Sequence, residues 1–264
     1  MKTNALAHPL QILIGVLLFV LACSASAEGM FYFGSGIGLE NFKARYDKRA
    51  DTDLFPTLSL NDLVFNDRDG GDGTPYSLNA FTGIRIGLHA KGLWFGIQTE
   101  TVLRSDVIEG RLAGVGKTRD GYEISNLLEQ NWTLRTDRDR SLVVRVGTVV
   151  SFLGMLDFSP YVVAGLREIE VAFERSIEIC GTKLVCQPGE QSTTTTERRK
   201  PSLRQMVFGL GIEKFIGEKT SISLEARYNS EDDDSWEEST NDISTPSSLS
   251  TDSYDLALKF SVYL

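Results

Sequence analysis

The side chains best suited to catalysis or metal binding are few in this sequence and lie far apart. His89 is the only histidine after residue 27, and it lies just before Lys91-Gly92. A catalytic triad or a metal site needs histidine, cysteine or clustered carboxylates within reach of one another. We therefore expect His89 to be a polar residue beside a turn, and we expect no enzymatic activity.

Two cysteines, Cys180 and Cys186, are the only ones after residue 27. A pair of this kind is expected to form a disulfide in an oxidising compartment. No further soft ligand lies near them in the sequence, so metal binding is not favoured. We predict a disulfide that closes a small ring within a loop.

Two acidic segments carry the oxygen ligands that divalent cations prefer. Residues 67–73 resemble a calcium loop in composition, but Leu78 stands where the closing glutamate should be. Residues 230–252 are rich in Asp and Glu and contain no Lys or Arg. They could bind Ca²⁺ or Mg²⁺ weakly, although such charge density is more typical of a solvated loop. We predict no metal site and no cofactor.

The overall composition excludes two broad classes. The 264 residues are 41% hydrophobic and 24% charged, which is too apolar for a disordered chain. Lys and Arg total 27 against 36 Asp and Glu, a net charge of −9. Because nucleic-acid binding depends on basic residues that neutralise phosphates, we expect no nucleic-acid partner.

The N-terminus has the three regions of a secretory signal peptide. Lys2 gives a positive start, Leu10–Ala22 is apolar, and Ala25-Ser26-Ala27 is a small-residue cleavage site. We predict a signal peptide over residues 1–27 and one domain over residues 28–264. The alternative is a lipoprotein site with Cys23 acylated, but Leu21 is bulky for such a site.

Beyond residue 27 the dominant pattern is alternation of apolar and polar residues, which predicts β-strands. In the last strand Tyr254, Leu256 and Leu258 begin an apolar face that continues to the end of the chain. Six segments have such faces without a single charge, while their opposite faces hold glycines and charges of both signs. This distribution is typical of a narrow membrane barrel, apolar towards lipid and polar inside. The predicted lumen charges are Glu40, Arg85, Glu100, Arg104, Arg145, Glu213, Glu225, Arg227 and Lys259.

Two further segments, 31–42 and 160–174, bring the predicted strands to eight. In the second, Val162, Ala164 and Leu166 share one face, and then Ile169, Val171 and Phe173 take it over. A β-bulge near Arg167-Glu168 would explain that change of phase.

The predicted connections alternate between short and long. Those at 90–92, 154–159 and 216–219 are short, and those at roughly 48–75, 105–140, 176–202 and 230–252 are long. Short periplasmic turns and long extracellular loops follow this rule in outer-membrane barrels. Residues 121–135 also alternate, so they either extend the barrel or form an extra hairpin that would make ten strands.

The sequence resembles the OmpA-like, opacity-type family of eight-stranded outer-membrane barrels. The resemblance lies in the hairpin 76–103, in Pro160-Tyr161 with Ala164-Gly165, in Gly209 and Gly211, and in the alternating C-terminal strand. It implies an all-β, up-and-down antiparallel transmembrane barrel in the outer membrane of a Gram-negative bacterium. The implied partners are outer-membrane lipid and lipopolysaccharide, the barrel-assembly machinery, and a surface ligand bound by the loops.

Two functions remain open at this point. Mixed-sign charges in a lumen this narrow are expected to pair and plug it, because unpaired buried charges are costly. The chain would then be a non-enzymatic anchor for its surface loops, acting in envelope structure, adhesion or surface interaction. The alternative is a narrow pore for ions or small solutes, which needs a continuous wet path past the same charges.

Overall fold

The structure is a computed structural model that describes residues 28–50, 60–65, 71–88, 92–105, 107–118, 123–152, 156–179, 193–240 and 243–264. The described residues form thirteen β-strands. No helix among them is long and apolar enough to cross a membrane. The predicted signal peptide lies outside the described residues, as do His89, Cys180 and Cys186.

The thirteen strands, in chain order, are β1 (Glu28–Ala50), β2 (Leu60–Phe65), β3 (Gly71–Gly73), β4 (Tyr76–Leu88), β5 (Leu93–Arg104), β6 (Val107–Thr118), β7 (Glu123–Thr148), β8 (Val150–Phe152), β9 (Leu156–Ile179), β10 (Thr193–Arg199), β11 (Ser202–Phe215), β12 (Thr220–Thr240) and β13 (Ile243–Tyr263).

Eight of these strands close into an antiparallel ring. Its order is β1, β4, β5, β7, β9, β11, β12 and β13, and each strand pairs with the next. The last strand returns to the first, with Tyr263 opposite Tyr32. The predicted eight-stranded up-and-down fold is confirmed. The ten-stranded alternative is wrong, because residues 123–135 belong to β7 itself.

Beyond one end of the ring the barrel wall continues as an extension, in which further strands lie end to end with strands of the ring. β2 and β3 prolong β4 along β1, β6 prolongs β5 along β7, and β10 prolongs β11 along β9. Much of each predicted long loop is therefore strand, which corrects the prediction for those parts of the chain. We call this side of the molecule the extended end.

The opposite side, which we call the turn end, contains the tight connections. Gly92 has φ = 64°, a left-handed conformation that glycine adopts without steric cost. Residues 216–219 form a turn closed by a hydrogen bond from Ile216 N to Thr220 O at 3.0 Å. The short β8 pairs with the start of β9 at this same end.

Apolar side chains point outward in the ring and inward in the extension. On β9, Leu166 is outward and 51% exposed, whereas Ile169 and Phe173 are inward and at most 1% exposed. On β1 the same inversion separates exposed Leu39 from buried Phe42. Lipid accommodates an apolar outer face, but water drives apolar side chains to the inside. The inversion therefore marks the place where lipid gives way to water.

This inversion corrects the prediction for residues 160–174. We expected a bulge near Arg167-Glu168 to carry Ile169, Val171 and Phe173 onto the lipid face. β9 instead pairs with β11 without any register shift between Ser159 and Glu170, and its inward and outward side chains alternate strictly from Ser159 to Arg175. The surroundings of the strand change while its backbone continues regularly.

A level of strand interruptions, which we call the break ring, separates the ring from the extension. Pro75 and Pro201 interrupt two strand lines, since proline has no N–H for a ladder. Their carbonyl oxygens still accept hydrogen bonds from the amides of Glu40 and Val171, at 3.2 and 3.1 Å. Register shifts lie at the same level, between Thr136 and Arg138 and between Asn229 and Asp232.

Candidate functional site

Aromatic side chains fill the ring lumen by lying over glycines of neighbouring strands. A Cβ atom on Gly147 would overlap the Trp94 indole, and one on Gly211 would overlap the Tyr161 ring. A barrel of eight strands is only wide enough for side chains to fill it. The glycines of the polar face therefore make room for large neighbours.

The lumen layer nearest the turn end is an ion pair enclosed by aromatic rings. Arg85 Nη1 donates to Glu213 Oε2 at 2.6 Å, and Tyr263 OH donates to Glu213 Oε1 at 2.6 Å. The Arg85 guanidinium lies 4.0 Å from the centroid of the Trp94 ring. Phe215 packs on Tyr263 with 5.1 Å between centroids, so both charges are shielded from water.

The middle layer gathers three cations around two carboxylates. Glu225 accepts hydrogen bonds from Arg145 at 2.7 Å and from Lys259 at 2.8 Å. Arg227 donates to Glu225 at 2.5 Å and to Glu100 at 2.7 Å. Lys259 also donates to Glu100 at 2.8 Å, and all five residues are buried. Paired, hydrogen-bonded charges can be accommodated in such an interior, whereas unpaired ones are very costly.

The upper layer lies just below the break ring. Arg104 Nη2 lies 2.5 Å from carboxylate oxygens of both Glu40 and Asp139. Arg167 Nη2 lies 2.9 Å from the same two residues. Two guanidiniums are thus bridged by two carboxylates, with Asp255 on the same lumen face.

The three layers are balanced in charge as a whole. The middle layer has one cation in excess and the upper layer has one anion in excess. Among the described residues of the ring lumen, six cations therefore face six anions: Arg85, Arg104, Arg145, Arg167, Arg227 and Lys259, and Glu40, Glu100, Asp139, Glu213, Glu225 and Asp255.

Above the break ring the lumen is filled mainly by hydrocarbon and aromatic side chains, which we call the apolar cap. Arg175 is also buried there, and its Nη1 donates to Tyr46 OH at 3.2 Å. The Trp132 and Phe173 rings lie 6.2 Å apart, and Trp236 stacks on Tyr46 with 6.0 Å between centroids. The buried members of the cap are Phe42, Ala44, Tyr46, Ile108, Leu112, Trp132, Leu134, Ile169, Val171, Phe173, Leu203 and Leu249.

All nine side chains predicted as lumen charges lie inside the ring, and each pairs with another of the nine. The predicted set of lumen charges left out Asp139, Arg167 and Asp255, although alternation places Asp255 on the polar face of its strand together with Lys259. Asp139 fell within a segment predicted to be a loop, and Arg167 fell at the predicted bulge. Strict alternation continued from Tyr161 would have placed Arg167 inside.

The other predicted features lie elsewhere. Within residues 230–252, positions 230–240 belong to β12 and positions 243–252 belong to β13, so these parts are strand rather than the predicted loop. Within the described ranges, no group of three or more His, Cys, Asp or Glu side chains is arranged to hold a metal ion. The disulfide between Cys180 and Cys186 stays a prediction.

The fold and the lumen together define a class of protein: a transmembrane β-barrel of eight strands. Its outer wall has an apolar belt, its lumen is packed with ion pairs, and its strands continue well past the belt at one end.

No family model and no curated protein matches the sequence. Solved structures with a similar fold include the outer membrane protein OprG from Pseudomonas aeruginosa, at 10% identity over 89% of this chain and 96% of that one, with a TM-score of 0.43. The attachment invasion locus protein Ail of Yersinia pestis has 11% identity over 86% and 99%, with a TM-score of 0.32. The outer membrane protease OmpT from Escherichia coli has 7% identity over 88% and 97%, with a TM-score of 0.40. At these identities the likeness concerns the fold alone.

Proposed function

We propose that this chain is an outer-membrane barrel that anchors a rigid extracellular extension, without catalysing a reaction and without conducting ions. The membrane placement rests on the outer wall of the ring, where apolar side chains such as Leu210 (67% exposed) and Leu258 (48% exposed) face outward. A belt of this kind is stable against lipid acyl chains. The longer, extended end faces the cell exterior, as in other bacterial outer-membrane barrels.

The observation that carries the proposal is that ion pairs span the lumen between opposite strands. β4 and β11 lie four strands apart in either direction round the ring, and Arg85 pairs with Glu213 between them. Arg227 and Glu100 join β12 to β5 in the same way. Each layer therefore crosses the full diameter, and an ion would have to displace these pairs to pass.

The apolar cap adds a second barrier of a different kind. A hydrophobic constriction resists permeation by excluding water. Trp132 and Leu112 in the cap are at most 1% exposed. A permeating ion would therefore lose its hydration in the cap after displacing charges in the ring.

The extension supplies the surface through which the protein acts. Its outer face is polar, with Arg45 and Asp47 exposed on β1 and Glu231 exposed on β12, the second strand along. A wall of hydrogen-bonded strands over a packed core holds such side chains in fixed positions. This arrangement suits contact with a macromolecule in envelope structure, adhesion or another surface interaction.

The absence of catalysis is part of the proposal. The carboxylates described in the lumen, such as Glu225 and Asp139, are buried and bound to guanidinium or ammonium groups. A substrate in the surrounding water cannot reach them. Purified protein should leave fluorogenic peptides and phospholipid vesicles unhydrolysed.

Recording from planar bilayers tests the proposal. Wild-type protein should show no steady unitary conductance, while the same sample co-floats with vesicles and is trimmed at the extended end by external protease. Steady conductance of the wild type would overturn the anchor function and leave a pore in its place. Hydrolysis of either substrate would overturn the non-enzymatic part alone.

A further inference from the structure

The outer wall carries a row of charged side chains immediately above the apolar belt. Arg140 on β7 lies directly opposite Glu168 on β9, and Glu168 lies directly opposite Arg204 on β11. All three side chains point outward. We propose that this row, the Arg140–Glu168–Arg204 row, binds the phosphate groups of lipid A in the outer leaflet. The inference rests on the outer-membrane placement and is independent of whether the lumen conducts.

The height of the row fits the headgroup of an amphiphile. One step lower on the same face, Leu142 lies opposite Leu166, which lies opposite Met206. These three side chains are exposed on the outer wall. Two residues along a strand rise about 7 Å, so charge follows directly on hydrocarbon. A lipid beside this wall would place its acyl chains on the apolar side chains and its headgroup at the arginines.

The two arginines of the row are the cations on this face that remain available. Arg140 is exposed and makes no ion pair with any residue in the described ranges. Arg204 Nε lies 3.6 Å from Glu168 and is 67% exposed, so water largely screens this contact. The row carries one positive charge in excess, although the chain as a whole is acidic.

Cations higher on the same face are already bound. Arg138 lies 2.9 Å from Glu170, and Arg198 makes two contacts with Glu174, at 2.9 and 3.3 Å. Lys200 donates to Asp137 at 3.1 Å, and this hydrogen bond is the main reason that the pKa of the Asp137 carboxyl lies below its usual value. The lower row therefore offers a phosphate the least engaged guanidiniums of this wall. Arg140 has no carboxylate contact among the described residues, and the contact of Arg204 is longer than those of Arg138 and Arg198.

A groove at the row indicates the size and shape of the ligand that would fit there. It has a volume of about 690 Å³ and is lined by residues of β5, β7, β9 and β11, including Thr99, Arg140, Leu142, Leu166 and Arg204. Neighbouring strands are about 4.8 Å apart, so the two arginines stand on strands about 10 Å apart. A site this wide, with cations on both sides, fits a glycolipid with several acyl chains and two phosphates. A phospholipid with two chains and one phosphate would occupy only part of it.

Lipid-dependent thermal stability tests the assignment, because a ligand that binds only the folded protein raises its unfolding temperature. The variant is Arg140→Gln with Arg204→Gln, and the matched control is Arg138→Gln with Arg198→Gln. The control loses the same charge from the same face, but from arginines that already have partners. Each purified protein is titrated in detergent with lipid A, with phosphatidylglycerol and with inorganic phosphate.

We expect lipid A to stabilise the wild type and the control with similar half-saturating concentrations. The Arg140/Arg204 variant should need at least ten times more lipid A, with an unchanged unfolding temperature in the absence of lipid. Equal half-saturation for variant and control would overturn the proposal. Equal protection by phosphatidylglycerol, lost in the same variant, would replace lipid A with a general anionic headgroup. A response to inorganic phosphate alone would do the same.

Discussion

Arg167 Nη2 lies 2.9 Å from Glu40 Oε1, although the two residues are 127 positions apart in the chain. Their strands, β9 and β1, face each other across the ring, so this pair spans the upper layer as Arg85–Glu213 spans the lowest. A cross-lumen ion pair can form only after the ring has closed. The charges therefore report on closure of the barrel as well as on its permeability.

The unequal charges of the middle layer lead to a first prediction about stability. Glu225→Gln would leave three cations with Glu100 alone, whereas Arg145→Met would leave two cations with two carboxylates. Because a buried charge without a partner costs about 3–5 kcal/mol, we expect the glutamate variant to be far less stable than the arginine variant. Reversible unfolding in detergent or lipid, followed by circular dichroism, measures both. Equal losses would contradict the paired-layer description.

A second prediction compares the stability effect of truncating a side chain in the apolar cap with that of truncating one in the lipid-facing belt, both on β9. Ile169→Ala removes a fully buried side chain of the cap, and Leu166→Ala removes an isomeric side chain that faces lipid three positions earlier. Truncation in a packed core costs about 2–5 kcal/mol, and truncation at a lipid contact leaves no cavity in the protein. We expect a large loss for the first variant and a small one for the second. The reverse order would show that Ile169 faces lipid.

The packing of Trp94 over Gly147 gives a third prediction. Gly147→Leu should destabilise the barrel because its side chain would occupy the space of the indole. Combining it with Trp94→Ala should recover part of that loss, since the new side chain would fill the vacated volume. The measurement is a double-mutant cycle of unfolding free energies. Additive losses would mean that the two positions do not share one space.

The sequence was sufficient to predict the eight strands and their lipid faces, except for the second half of 160–174. Alternation over segments such as 76–88 requires only that one face is apolar and the other polar. The same pattern identified the nine lumen charges, because the polar face of each strand in a narrow membrane barrel lines the lumen.

The sequence was not sufficient to predict the extension. At each break the apolar side chains change face, so Leu166 and Ile169 are three positions apart and the apolar residues no longer recur at every second position. That spacing resembles a bulge or the start of a loop, and the regular backbone beneath it is not visible in the pattern. Cross-lumen partners such as Arg167 and Glu40 also depend on which strands face each other, which only closure of the ring determines.

The change of face on β9 distinguishes a barrel that ends in flexible loops from one that continues as a rigid, filled extension. Methyl relaxation in the native protein tests it directly, without any substitution. The protein is labelled at its Ile, Leu and Val methyl groups and reconstituted with a spin-labelled lipid, then with a water-soluble relaxation agent. We expect the lipid label to broaden Val162 and Leu166, while Ile169 and Val171 stay sharp with both agents. If the lipid label broadens Ile169 and Val171 as strongly as Leu166, a β-bulge turns these side chains towards lipid, and the apolar cap does not exist.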